Sequence, residues 1–150
     1  MEALMKKKVI MIALFICFCA LVAVEADGVW IEDFELALRT AYIDQKPIFI
    51  LFTGSDWCPP CMALEREVFS QVEFIEYAKE NFVLMKVDRP RNIEQTEELR
   101  EQNARLFERY EIVGVPTIII IDRDENILAT TGYHAGGASA YIDHIRELLQ

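Results

Sequence analysis

Cysteine is scarce in this 150-residue chain: there are four, and two of them, Cys17 and Cys19, lie inside a leading apolar run. Only Cys58 and Cys61 follow that run, so no framework of structural disulfides holds the rest together. Histidine is scarcer, with His134 and His144 alone. Positive charge is also short, 15 Lys and Arg against 25 Asp and Glu, for a net charge of −10. So acidic a surface is unsuited to nucleic acid, and its plain reading is solubility. No internal repeat or low-complexity segment occurs. The longest apolar run, Val9 to Val24, falls short of the roughly 20 residues that cross a bilayer comfortably.

Lys6-Lys7-Lys8 precede that run and Val24-Glu25-Ala26 end it, which reads as a signal peptide, residues 1–26, cut after Ala26. An uncleaved anchor is the competing reading. Cys17 and Cys19 follow the large residues Ile16 and Phe18, where a lipoprotein signal places a small one, so lipidation is not expected. Cleavage would remove three lysines and two glutamates, taking the net charge from −10 to −11. The remaining residues, 27–150, are enough for one domain with one core and without stable membrane insertion.

What is present centres on Trp57-Cys58-Pro59-Pro60-Cys61, set between the apolar run Ile48 to Phe52 and a helix-like run from Met62 to Phe69. A dithiol thus stands where a strand hands over to a helix, whose N-terminus favours a thiolate at Cys58. Pro59 and Pro60 fall in the first helical turn, where a missing N–H costs least. Since the thiolate is the species that attacks disulfides, Cys58 reads as nucleophile and Cys61 as resolving partner. Leu64 and Val68 continue the face begun by Cys61, so Cys61 is expected to be the less exposed sulfur.

Other readings of the pair are weaker, and haem attachment drops out. Haem attachment needs His after the second Cys, and position 62 is Met. Zinc would need two further ligands, and His134 and His144 are spaced too widely for the usual close pair. A structural disulfide is possible, although so small a loop restrains little chain entropy. No metal and no cofactor is expected.

Along the chain, Trp30, Phe34, Ala37, Leu38 and Ala41 recur at helical spacing up to Ile43. Ile48 to Phe52 reads as a strand buried on both faces, and Thr53 to Asp56 as the turn into the dithiol. Ser70-Gln71-Val72-Glu73 has the form of a capping box that restarts a helix through Lys79. Phe82 to Val87 reads as a strand ending at Asp88-Arg89-Pro90. Ile93, Leu99, Leu106, Phe107 and Tyr110 suit a helix with one buried stripe, with Glu101 and Arg105 as an i, i+4 pair. Pro116 to Ile121 and Ile127 to Thr131 read as a hairpin. A last helix follows Gly136-Gly137, burying Tyr141, Ile142, Ile145, Leu148 and Leu149.

Trp57, Cys58, Pro60 and Cys61, together with Gly114, Pro116 and Thr117 and then Gly132, resemble the thioredoxin superfamily. Within it the chain is most similar to bacterial exported thioredoxin-like proteins of the Dsb reductase kind, over roughly Trp30 to Leu149. The resemblance implies an α/β thioredoxin fold, a mixed central sheet flanked by helices, in which an N-terminal helix replaces or precedes the usual first strand. It implies a cis bond before Pro116 and substrate binding by Val115 and Pro116, with Trp57, Pro59, Pro60 and Asp56 supporting the catalytic Cys58 and Cys61. Many thioredoxins carry a buried Asp six residues before the first Cys. Phe52 stands there, which leaves Asp56 and Glu65 as candidate proton relays and His134 as a loop residue that could approach the rim.

The expected activity is that of a periplasmic protein-disulfide reductase, since Pro59-Pro60 offers no charge or side-chain donor to stabilise the thiolate. Its partners would be cysteine-containing exported proteins and a membrane electron donor, and the chain would be a monomer. A dithiol oxidase or isomerase, and a non-catalytic peptide-binding module, are the alternatives.

Overall fold

The computed structural model describes residues 30–150. The expected signal peptide, with Cys17 and Cys19, lies outside the described residues. Four strands form one mixed sheet in the order β2-β1-β3-β4. They are β1 (Ile48–Thr53), β2 (Val83–Asp88), β3 (Thr117–Ile121) and β4 (Ile127–Thr131). β1 pairs in parallel with β2 and antiparallel with β3, and β3 pairs antiparallel with β4.

All six residues of β1 are buried, as an uninterrupted apolar run requires. Phe49 and Leu51 enter one core layer with residues of α2 (Pro59–Leu64), the π-helical turn Glu65–Phe69, α3 (Val72–Asn81) and α5 (Gly137–Leu148). Ile48, Ile50 and Phe52 enter the other, beneath α1 (Phe34–Asp44) and α4 (Glu97–Arg109). The architecture is the mixed sheet flanked by helices expected from the sequence, with a helix before the first strand. The usual leading strand is reduced to a single bridge between Ile31 and Met85.

Local structure departs from the sequence reading in four places. Asp33 accepts the Leu36 N–H and caps α1, so Trp30 lies outside the helix and packs against Phe49 and Phe69 across the sheet. The capping box at Ser70 does not form. Ser70 is still helical (φ −86°, ψ −3°) and its hydroxyl donates to the Arg66 carbonyl, while the extended Gln71 takes the cap position. Ile93 precedes α4, which starts only after the Thr96 cap, and is exposed. Leu148 and Leu149 are exposed because α5 ends there, beyond the edge of the core.

Phe49 is the hub of the first layer, with Trp30, Phe69, Phe74 and Phe82 ringed about it at centroid distances of 5.8–6.1 Å. Phe49→Ala would leave a cavity among rings that cannot close around it, costing about 3–5 kcal/mol. Urea denaturation should show a lower midpoint at an unchanged slope. A midpoint within experimental error of the parent would show that this layer repacks freely.

Candidate active site

Strand register decides what meets the dithiol. Phe52 faces Val87 on one side and Thr117 on the other, so the loops that follow β1 and β2 and the loop that precedes β3 leave the sheet at one end. Those loops carry Cys58, Arg89 and Val115–Pro116.

Cys58 occupies the N-cap position of α2 in an extended conformation, and its Sγ accepts the N–H of Cys61 at 3.3 Å. Pro59 and Pro60 fill the first two helical positions and have no N–H to offer, so Cys61 supplies the backbone donor that this turn gives the sulfur. Cys58 and Cys61 are joined in a disulfide with a Cα–Cα distance of 5.2 Å. The expectation that Cys61 would be the less exposed of the two is not met: Cys58 is 3% exposed and Cys61 5%. The helix face does bury Cys61 with Leu64, but the loop before β3 covers Cys58 as well, placing the Val115 carbonyl oxygen 3.6 Å from its Sγ. The Val115–Pro116 peptide bond is cis.

Trp57 is locked in place. Its indole N–H donates to the Arg89 carbonyl at 2.7 Å, the Arg91 guanidinium lies 4.2 Å from its ring centroid, and Gly54 lies beneath it. A Cβ at Gly54 would collide with the indole, so the turn requires glycine there. Asp56 accepts the backbone N–H groups of Arg91 and Asn92 with both carboxylate oxygens. Asp88, buried at the end of β2, accepts the N–H and hydroxyl of Ser55. Both carboxylates therefore tie the turn before Trp57 to the loop after β2.

The two relay candidates are thereby separated. Asp56 has its oxygens occupied by loop N–H groups, whereas Glu65 lines a pocket of about 320 Å³ together with Cys61, Ser55, Thr53 and Lys86. Phe52 packs edge-on against Phe107 at 5.1 Å and belongs to the opposite core layer. His134 packs against His144 at 4.5 Å between ring centroids, with Thr131 Oγ1 2.8 Å from His144 Nε2. The wide sequence spacing of the two histidines thus does not keep them apart, because the loop after β4 folds back on α5. Among the described residues, no group of three or more His, Cys, Asp or Glu side chains gathers to hold a metal ion.

Arg89, Arg91, Phe107 and Val113 were missed as site residues in the sequence. With Trp57 and Val115, three of them (Arg89, Phe107 and Val113) line a groove of about 200 Å³ beside the dithiol. The signal for the two arginines was present: residues that follow one strand of a parallel pair lie beside residues that follow its partner, so Asp88-Arg89-Pro90-Arg91 had to border the turn before Cys58.

A family model described as a thioredoxin-like domain matches residues 34–145. The disulfide bond reductase DsbH of Chlamydia pneumoniae is 34% identical over 119 residues, 79% of this chain and 72% of that one. The thioredoxin-related protein DsbJ of the same organism is 32% identical over 104 residues, 69% of this chain but 30% of its own length. A solved structure of a DsbH oxidoreductase superposes with a TM-score of 0.76 at 33% identity, over 80% of this chain and 83% of that one.

The Arg91 N–H, and after it the Asn92 N–H, hold the Asp56 carboxyl below the usual carboxylate range. A carboxyl whose folded value is lowered stabilises the fold above its ordinary range and loses that contribution as pH falls through the lowered value. The loop at residues 89–92 should therefore loosen only under strong acid. The protection of the Arg91 and Asn92 amides against exchange, relative to their intrinsic rates, should fall there, and Asp56→Asn should bring a similar loss at neutral pH. Unchanged exchange in that variant would remove Asp56 as the clamp.

Proposed function

Because this chain belongs to the thioredoxin-like family, whose Dsb-type members are thiol–disulfide oxidoreductases, we propose that it is an exported protein-disulfide reductase. The observation that carries this reading is the Cys58 sulfur itself, held at a helix N-cap by the Cys61 N–H and flanked by the Val115 carbonyl. Residues 1–26 would direct export to the periplasm and residues 27–150 form the working domain.

In the proposed cycle the Cys58 thiolate attacks one sulfur of a client disulfide. A Cys58–client disulfide forms, the client S–S bond breaks, and the second client sulfur leaves as a thiolate that takes a proton. The Cys61 thiolate then attacks Cys58 Sγ, forming the intramolecular disulfide and expelling the first client sulfur, which is protonated in turn. The client gains two electrons and two protons, and the domain is left oxidised. Cys61 loses its proton to solvent or to the leaving thiolate, with Glu65 the carboxylate that lines the same pocket; Asp56 is occupied elsewhere. Val115 and Pro116 border the bound client chain. A membrane dithiol donor returns two electrons, since an oxidising compartment would otherwise keep the domain oxidised. The similarity to a protein named disulfide bond reductase supports this direction.

The Pro59-Pro60 pair supports it physically. With two donors removed from the first turn, the Cys58 thiolate is less stabilised than it would be at an ordinary N-terminus, and a less stabilised reduced form makes a more reducing couple. Equilibration of the domain with dithiothreitol should give a potential near the thioredoxin end, about −270 mV. A value near about −120 mV would mean an oxidase and overturn the direction. Separately, Cys61→Ser should accumulate mixed disulfides with client proteins, visible as reductant-sensitive adducts. If none forms, and Cys58→Ser retains the chain's activity, the domain is a binding module and its disulfide is structural.

A further inference from the structure

Five of the arginines described are paired with carboxylates, namely Arg66, Arg100, Arg105, Arg109 and Arg146. Arg89 and Arg91, like Arg39 and Arg123, make no ion pair among the described residues, in a chain where acidic residues outnumber basic ones by 25 to 15. Both are held over aromatic rings at the edge of the groove: the Arg89 guanidinium lies 3.9 Å from the Phe107 ring centroid and that of Arg91 4.2 Å from Trp57. Their backbone is fixed by the Trp57 indole and by Asp56. The nearby carboxylates of Asp56 and Asp88 aim their oxygens at backbone N–H groups and at Ser55, so among the described residues neither forms a contact ion pair with these guanidiniums. Stacking restricts each long side chain in advance, so engaging a carboxylate there sacrifices little further entropy. Beside them the groove is apolar, walled by Trp57, Phe107, Ile112 and the fully exposed Val113, and it ends at Val115, next to the Cys58 sulfur.

We propose that Arg89, Arg91 and this groove select client segments that carry an acidic side chain and an apolar one beside the reacting cysteine. The inference rests on the reductase reading and adds its substrate class. Charge complementarity carries it. The net negative charge of the domain would repel such a segment at a distance, but at physiological salt charges more than about 8 Å apart are screened, so the two local guanidiniums decide at contact.

The test uses the pre-reduced protein and three synthetic peptides, each closed by one internal disulfide and bearing Asp-Phe, Asn-Phe or Lys-Phe next to the attacked cysteine. Each turnover transfers two electrons from Cys58 and Cys61 to the peptide disulfide and yields two peptide thiols, counted after acid quench and alkylation. The Asp peptide should be reduced about tenfold faster than the Lys peptide at physiological salt, with Asn between. Raising the salt on the unaltered protein should shrink that ratio. Arg89→Gln with Arg91→Gln should collapse it, slowing the Asp peptide and speeding the Lys peptide. Equal rates for the three peptides with the unaltered protein, or a salt-insensitive ratio, would overturn the proposal. So would equal slowing of all three in the double variant, which would place the guanidiniums' effect on the thiolate. If the pre-reduced protein reduces no peptide at all, the reductase reading itself has failed. A neutral peptide reduced without charge preference fails the selection alone.

Discussion

The central constraint is the two-sided burial of β1. A strand whose six residues are all buried has to be covered by helices on both faces and paired along both edges, and its carboxyl end becomes the place where the chain returns to the surface. Parallel pairing with β2 puts the end of that strand alongside, and antiparallel pairing with β3 puts the start of β3 on the other side. The dithiol, the arginine loop and the Val115–Pro116 loop meet because of that register. None of them is near another by sequence: Cys58 and Val115 are 57 residues apart and Trp57 and Arg89 are 32.

Electrostatics then sorts the groups at that end. In an acidic chain the carboxylates nearest the turn are not left to face the sulfurs. Asp56 and Asp88 accept backbone and hydroxyl hydrogens from the segments they join, which makes them braces of the turn. Their engagement leaves two guanidiniums near the dithiol without a contact ion pair among the described residues and leaves Glu65 as the carboxylate in the pocket with Cys61. Inside the ring the prolines act by subtraction, removing N–H donors from the point of the helix where a thiolate would otherwise collect several.

Much of the fold was legible because its signals are local. The apolar run from Ile48 to Phe52, the β3–β4 hairpin and the periodic face of Tyr141, Ile142 and Ile145 each follow from residue type and spacing, and each is found. The dithiol at a helix start was legible for the same reason. Boundaries were less so. Trp30 fits the helical period of α1 but stands outside it, because Asp33 competes as a cap and the ring finds partners across the sheet. Ser70 has the right residue type for a cap and the wrong backbone, since the π-helical turn before it extends the helix by one residue.

From its residues alone this protein is determined to be an acidic α/β domain with a Cys-Pro-Pro-Cys pair where a strand meets a helix. These follow from composition, period and the chemistry of single side chains. Tertiary structure alone decided that both sulfurs are covered, that His134 meets His144, that Asp56 is a clamp, and that Arg91 stacks on Trp57. The physical reason is that each of these depends on strand register and loop packing, which bring together residues whose separation in the chain carries no local signal.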